Sequence, residues 1–139
     1  MTGAFSLAVH ALVYLSHKKT TLSSEALAEN ICTNPARVRK VMALLKRAGL
    51  VSTKEGAEGG YTLVADPETV DLGQVARAVE ARFVSAAWRP GSTDMDCLVS
   101  SGMAAVMDGI YAELDGLCRQ RLSGVTVADI EREIFQGRT

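Results

Sequence analysis

Hydrophobic residues in the first third of the chain follow a helical period. Between residues 34 and 48 they recur at i, i+3, i+4 and i+7, namely at Val38, Val41, Met42 and Leu45. This spacing predicts an amphipathic helix over residues 34–48 with one face in the core. Lys40 points away from that face on a helical wheel, and Arg37 and Arg39 lie on its flanks. The outer face of this helix is therefore predicted to be positively charged.

A shorter helix and a tight turn precede the basic helix. Ser23 and Ser24 are typical helix-start residues, and the apolar positions after them predict a helix over residues 25–31. Residues 32–35 form the turn, with Pro35 at the favoured first position of the next helix. A short helix, a tight turn and a longer basic helix are typical of a helix-turn-helix.

Two short β-like runs follow the basic helix. Gly49 is placed to end that helix in a left-handed cap. Residues 50–53 and 61–64 then predict two strands, joined by the glycine-rich segment 56–60. Residues 21–22 are a candidate third strand. This order predicts a winged helix-turn-helix.

Further helices flank the winged region on both sides. The patterns predict helices over residues 5–17, 72–80, 97–122 and 127–135, and a loose loop over residues 82–96. Two of these helices open with capping pairs, Asp71 with Gln74 and Thr126 with Asp129. We therefore expect a mostly α protein with a small β-wing. Its winged helix-turn-helix covers residues 1–80, and a loop, a long helix and a short C-terminal helix cover residues 81–139.

The longest predicted helix, over residues 97–122, carries an apolar seam. The residues of this seam step by threes and fours: Val99, Met103, Val106, Ile110, Leu114 and Leu117. At about 1.5 Å per residue the helix spans roughly 36–39 Å, more than a domain of this size covers. We therefore expect the seam to bury against a second copy of the chain in a homodimer. The alternative is that the helix folds back on its own winged domain.

Composition and charge narrow the possible functions. The chain has 139 residues, 47% of them hydrophobic, but no run long enough to span a membrane and no signal-peptide layout at its start. Three widely spaced cysteines argue against a secreted disulfide framework, so the cytoplasm is the expected location. The net charge is −1, yet residues 18–60 hold eight Lys/Arg against four Asp/Glu. This asymmetry is typical of a local anion-binding face on an otherwise acidic protein.

Double-stranded DNA is the expected partner of the basic helix. The candidate DNA contacts are Ser24, Thr33, Asn34, Arg37, Arg39, Lys40 and Lys54. Arginine can pair bidentately with guanine, and hydroxyls and helix-start amides can bind phosphate. For Asn34 and the hydroxyls the alternative role is helix capping. Lys46 and Arg47 lie near the helix end, where compensation of the helix dipole is the favoured interpretation.

Five segments carry a resemblance to a known family. They are AVHALVYL at residues 8–15, AGLV at 48–51, GGYTL at 59–63, LGQV at 72–75 and TVADI at 126–130. Together they resemble the Rrf2 family of winged-helix transcriptional regulators, the type represented by IscR, NsrR and CymR. The resemblance implies a cytoplasmic, homodimeric, DNA-binding regulator, usually a repressor, in which the long helix dimerises.

The cysteines depart from the pattern of the cluster-binding members of this family. Those members have three cysteines close together in the loop before the long helix, whereas residues 82–101 contain only Cys97. Cys32 belongs to the helix-turn-helix, and Cys118 is predicted about 30 Å farther along the long helix. We therefore expect no iron–sulfur cluster and no other cofactor. The alternative is a cluster whose further ligands come from a partner chain or from residues other than cysteine.

The wing also departs from the family pattern. Many relatives have an arginine-glycine pair that enters the minor groove, whereas this chain has Glu55 and Gly56. A carboxylate cannot donate a hydrogen bond to a base edge. Lys54 is a candidate substitute, although strand alternation directs it to the opposite face. Either the wing contributes little to binding or the preferred DNA site differs.

Cys97 is the candidate sensor residue. It follows the loop and opens the long helix, where the positive end of the helix dipole stabilises thiolate, although Asp94 and Asp96 oppose this effect. One interpretation is a switch that responds to a redox, electrophile or small-molecule signal. The other is a small buried residue at a helix start. Cys118 is expected in the helix interface and Cys32 in the core of the turn.

Two functions from other classes stay open. The basic helix could contact an acidic protein partner without binding specific DNA, or Cys97 could serve a thiol enzyme. No phosphate-binding glycine loop, nucleophile elbow or carboxylate pair is present, so no catalytic residue is assigned. His10 and His17 are too far apart along one helix for a single metal ion, so no metal ligand is assigned either.

Overall fold

The computed structural model describes residues 3–137. In this part of the chain the elements are α1 Gly3–Lys18, α2 Ser24–Ile31, α3 Pro35–Arg47, β1 Val51–Lys54, β2 Gly60–Leu63, α4 Leu72–Ala78, α5 Leu98–Leu122 and α6 Val127–Gln136. The predicted fold class is confirmed: a winged helix-turn-helix with a two-stranded wing, followed by a long C-terminal helix. None of the described helices is both long and apolar enough to cross a membrane.

The first three helices share one hydrophobic core. All four apolar positions predicted on α3 are buried in it, together with Leu12 of α1 and Leu27 of α2. The chain reverses after α3 at Gly49, whose φ is +78°. The amide of Leu50 donates to the carbonyl of Leu45 at 3.0 Å, which satisfies one of the last carbonyls of the helix. The core thus fixes which face of α3 points to solvent.

The wing is an antiparallel hairpin joined to the segment before α2. Lys54 of β1 lies opposite Gly60 of β2. Leu22 and Tyr61 exchange two backbone hydrogen bonds, of 3.0 and 2.8 Å, so the predicted third strand is present as a single bridge. Gly60 has a φ of +150°, and an added Cβ there would overlap the carbonyl of Leu22. The bridge therefore depends on glycine at this position.

The last helix returns to the winged domain. The amide of Leu72 donates to the carbonyl of Val125 at 2.8 Å, and the amide of Val127 to that of Val70 at 3.1 Å. Val127 is fully buried in the same core as α1 and α4. The sequence-based division grouped this helix with residues 81–139, but its side chains complete the core of the winged part.

Most of the long helix α5 lies apart from that core, and only its C-terminal end, at Leu122, packs against it. It runs for 25 residues with none buried, and the six residues of the apolar seam are between 39% and 64% exposed. α5 packs on α4 near its C-terminal end, where a Cβ added at Gly73 would lie 3.4 Å from the carbonyl oxygen of Arg119. The seam therefore does not fold back on the winged domain of its own chain.

Asp115 ties the segment after α4 to α5. Its Oδ1 accepts hydrogen bonds from the amides of Phe83 (2.7 Å) and Val84 (3.0 Å), and its Oδ2 accepts one from Nε of Arg119 (3.1 Å). Arg119 also donates to the carbonyl of Ala81. The hydrogen bonds from Val84 and Phe83 hold the pKa of Asp115 below its ordinary value of 3.8. One carboxylate thus anchors the long helix to the winged domain.

We expect Asp115→Ala to lower the free energy of unfolding by about 2–4 kcal/mol, because each partly buried polar group that loses its partner costs about 1–3 kcal/mol. Since the folded state lowers the pKa of Asp115, this stabilisation is present at pH 7 and is lost as the pH falls below 3.8. Urea unfolding of both proteins at equal concentration should show a difference that shrinks in acid. Asp94→Ala, in the exposed loop, is the control. Equal stability at pH 7 would contradict the anchoring role.

Candidate nucleic-acid interface

Side-chain caps close both helices of the helix-turn-helix. Ser23 caps α2, its Oγ accepting from the amide of Ala26 at 3.0 Å. Asn34 caps α3, its Oδ1 accepting from the amide of Arg37 at 2.8 Å, so the capping alternative for Asn34 is confirmed. Cys32 lies at the C-cap of α2 with a φ of +64° and is exposed. Its prediction as a core residue was wrong, because the left-handed cap reverses the chain at the surface.

The outer side of α3 is a cationic surface. Arg37, Arg39 and Lys40, which we call the basic face, are all exposed, as are Lys46 and Arg47 in the last turn. No acidic residue occurs on α3. Because the opposite side of the helix is buried, the basic face is held in a fixed direction. A helix of this kind fits the major groove of DNA, which is about 12 Å wide.

Arg39 is held against the start of α2. Its Nη1 donates to Oγ of Ser24 at 3.2 Å and lies 3.8 Å from Oε1 of Glu25. The hydroxyl of Ser24 donates in turn to Oε2 of Glu25 at 3.2 Å. Ser24, a predicted phosphate contact, is buried and engaged within the chain. The sequence pattern did not indicate Glu25, because no periodicity links residues on two different helices.

Tyr61 borders this arrangement, and Thr33 lies in the turn between α2 and α3. Partial burial raises the pKa of the Tyr61 phenol, while the charge of Arg39 lowers it and that of Glu25 raises it. Both charges therefore lie near the base of the wing. Thr33, a further predicted contact, is half-buried in the turn, and its backbone amide donates to the carbonyl of Ala28 at 3.0 Å.

The tip of the wing carries mixed charge. Lys54 is exposed at the end of β1 and lines a groove of 450 Å³ together with Ser23 and Ala26 at the start of α2. Glu55 and Glu58 are exposed at the turn. The cation thus lies across from the helix-turn-helix, although Glu58 lines the same groove and the tip presents two carboxylates.

Comparison with known proteins shows to which family the chain belongs. Residues 1–133 match the family described as "Rrf2: Iron-dependent Transcriptional regulator". The chain belongs to the Rrf2 family. Rrf2 proteins are transcriptional regulators rather than enzymes, so the alternative of a thiol enzyme acting through Cys97 is wrong.

Individual proteins share this Rrf2 fold along nearly the whole chain. YwnA of Bacillus subtilis (strain 168) is 27% identical over 135 residues, which are 97% of this chain and 99% of YwnA. The crystal structure of a Lactobacillus plantarum protein superimposes with a TM-score of 0.82 at 24% identity, covering 96% of this chain and 91% of that one. CymR, described as the global cysteine regulator of B. subtilis, gives a TM-score of 0.69 at 17% identity, covering 96% of both chains.

The cysteines of this Rrf2 chain do not form a cluster site. Cys32 ends α2 and Cys97 precedes α5, whereas Cys118 is half-buried on α5, about 30 Å from Cys97 by helical rise. Within residues 3–137 no three His, Cys, Asp or Glu side chains are grouped so as to hold a metal ion. One chain therefore does not fit an iron–sulfur cluster, which needs several cysteine ligands together.

Cys97 lies in the loop region, apart from the basic helix. Its thiol is exposed and makes no capping hydrogen bond of normal geometry. The amides of Ser100 and Val99 are nevertheless close enough to lower its pKa below the ordinary value of 9.0. Because thiolate is the nucleophilic form, a lowered pKa raises the reactivity of an exposed cysteine.

Proposed function

We propose that this protein is a homodimeric, sequence-specific DNA-binding repressor. In this proposal its two α3 helices enter successive major grooves of a near-palindromic operator. The observation that carries it is the exposed basic face on the second helix of a helix-turn-helix. In such motifs the N-terminal part of that helix contacts base edges, and the basic face lies in the first two turns of α3. Membership of the Rrf2 family supports a role in the regulation of transcription.

The exposed apolar seam supports the homodimer. No side chain of the 25-residue helix α5 is buried, so all six apolar residues of the seam are exposed. Full burial of one such side chain stabilises by about 1.5–3 kcal/mol, and a second α5 offers the same seam in return. A two-fold axis through paired helices would also set the spacing of the two α3 helices. Occupation of the operator would then exclude other proteins from the same DNA, which is the proposed mode of repression.

The contacts proposed within each half-site differ in kind. The basic face of α3, formed by Arg37, Arg39 and Lys40, contacts bases or phosphates. Lys54 and the turn at Thr33 contact phosphates only. Asn34 and Ser24 act indirectly, because their side chains are engaged in the cap of α3 and with Arg39. The wing tip adds little, since Glu55 and Glu58 are repelled by phosphate.

Selection of bound fragments from genomic DNA by the full chain tests this proposal. The expected result is a near-palindromic motif whose half-sites lie about 34–36 Å apart. The affinity for this motif should fall with salt at a log–log slope near −5, as expected for roughly six neutralised phosphates. Fragments without a shared motif would overturn specific binding and favour a winged helix that contacts an acidic protein partner.

Cys97 is the proposed sensor, for a redox, electrophile or small-molecule signal and without a bound cluster. Its thiol precedes α5, so a group added there would disturb the start of the helix that carries the seam. Such a change would alter the spacing of the two α3 helices and thereby weaken operator binding. The support is the combination of an exposed thiol with a lowered pKa.

We expect mild peroxide to weaken operator binding by the wild type about tenfold, within the usual range of coupling between two sites, and to leave Cys97→Ser unaffected. Gel-shift titration measures the affinity, and mass spectrometry locates the modification. Cys32→Ser is the matched control, because Cys32 is also exposed and lies beside α3, and this variant should still respond. A fall in affinity while Cys97 stays unmodified would contradict the sensor role.

A further inference from the structure

Arg39 is tethered by one end of its guanidinium group. Its Nη1 donates to the Ser24 hydroxyl at 3.2 Å and lies 3.8 Å from the carboxylate of Glu25. The hydroxyl has a single proton, which it donates to Glu25 at 3.2 Å, so its oxygen is left to accept from Arg39. We call this chain of contacts, from Arg39 through Ser24 to Glu25, the Arg39 tether.

The tether leaves the other edge of the guanidinium open. On that edge Nε and Nη2 lie side by side. The same edge of another arginine, Arg89, donates two hydrogen bonds to the carboxylate of Asp108, at 3.2 and 2.6 Å. For Arg39, residues 3–137 place no hydrogen-bond acceptor there, and 54% of the side chain is exposed. Two parallel N–H donors are the arrangement that pairs with O6 and N7 of guanine.

Ser24 is the fixed point of the tether. It is buried at the first position of α2, whose start is set by the Ser23 cap, so its hydroxyl has a defined place relative to α3. Glu25 is 71% exposed and orients that hydroxyl from outside. An arginine without such partners samples many rotamers, and most of the contacts open to it are with phosphates, which carry no sequence information.

We propose that Glu25 is a positioning residue: its carboxylate charge, together with the Ser24 hydroxyl, holds Arg39 and sets specificity by directing it to one guanine in each operator half-site. The inference rests on the operator binding proposed above. Glu25 itself contacts no base. Its negative charge opposes general attraction to phosphate, so it lowers non-specific affinity while it raises discrimination at one base pair.

The variant Glu25→Gln separates these two effects. Glutamine keeps the length of the side chain and an oxygen that can accept from Ser24, but it removes the charge that holds Arg39. The target base pair is the one at which Arg39→Ala loses its preference for G·C. For the full chain, we expect Glu25→Gln to reduce the ratio of affinities for the G·C and A·T forms of the operator by about five- to tenfold. This is part of the discrimination between bases that a bidentate contact provides. Affinity for an unrelated duplex should stay equal or rise.

Glu29→Gln is the matched control, because Glu29 is exposed on the same helix and, within residues 3–137, forms neither a hydrogen bond nor an ion pair with Arg39. Its G·C to A·T ratio should match that of the wild type. In an Arg39→Ala background, Glu25→Gln should leave the ratio unchanged, since residues that act through one contact are not additive. Equal thermal unfolding midpoints of Glu25→Gln and Glu29→Gln show that α2 remains folded.

The outcomes distinguish this inference from the function on which it rests. A wild type without a preferred operator overturns both. A wild type with a preferred operator whose ratio is unchanged by Glu25→Gln overturns the positioning role alone. If Glu25→Gln changes the ratio as much in the Arg39→Ala background as in the wild type, the positioning role is also overturned, because Glu25 would then act by another route.

Discussion

Ile110→Glu is expected to convert the protein to monomers and to remove operator binding at concentrations where the wild type binds. Ile110 lies in the middle of the apolar seam and is 43% exposed in the single chain. In a two-fold dimer the new carboxylate would be buried without a partner, which costs several kcal/mol. Roughly 1 kcal/mol of apolar burial would be lost as well, because only the exposed part of Ile110 becomes covered in the dimer. Because both chains carry the change, the dimer dissociation constant should rise at least about a thousandfold.

In the proposed dimer, operator binding would depend on both chains, because the second half-site would be engaged intramolecularly. Loss of that linkage weakens binding by about 10²–10⁴-fold. Sedimentation and gel-shift titration measure the two effects on the same samples. Ala105→Glu is the matched control, since Ala105 is exposed on α5 and lies about 140° around the helix from Ile110. A dimeric Ile110→Glu would show that the seam is not the interface, and a monomer with full affinity would show that α5 is not needed.

Arg39→Ala is expected to cause the second large loss. A bidentate contact to guanine is worth about 1–3 kcal/mol, and a dimer makes it twice, so specific affinity should fall by about 2–6 kcal/mol. Lys40→Ala should weaken operator and unrelated DNA alike and should reduce the steepness of the salt dependence, because lysine acts as a point charge on phosphate. Fluorescence anisotropy at several salt concentrations separates the two patterns.

The control for both variants lies on the same helix. Lys46→Ala removes an equal charge in the last turn of α3, where the helix dipole accounts for a cation, and its effect on operator affinity should be small. Unchanged operator affinity in both Arg39→Ala and Lys40→Ala would show that the basic face is not the DNA-reading surface. A loss as large for Lys46→Ala would shift that surface toward the end of the helix.

Local chemistry accounts for the elements that could be predicted. The buried stripe of α3 follows from 3.6-residue periodicity, and the caps at Asn34, Asp71 and Thr126 follow from side chains that bond to nearby backbone amides. Gly49 adopts the left-handed conformation that its position at a helix end requires. Each of these features involves residues within one or two turns of each other.

The site was less predictable because its key contacts join separate elements. Exposure of the basic face followed from the helical wheel, but the hydrogen bond from Arg39 to Ser24 depends on how α2 crosses α3. Ser24 was therefore predicted as a phosphate contact, whereas the structure shows it as a hydrogen-bond partner of Arg39. Glu25 also belongs to the site, although no local sequence pattern indicated it. Cys32 was misplaced because the left-handed turn at the end of α2 leaves its side chain exposed, which its hydrophobicity alone did not indicate.

By itself the amino-acid sequence determined the winged helix-turn-helix, the positive charge of α3 and the apolar seam of the long helix. These depend on periodicity and capping, which act over short distances along the chain. The tertiary structure alone decided three further features: the return of α6 to the first core, the anchoring of α5 by Asp115 and the tether of Arg39. These depend on contacts between residues far apart in the chain, whose geometry is set only when the helices pack.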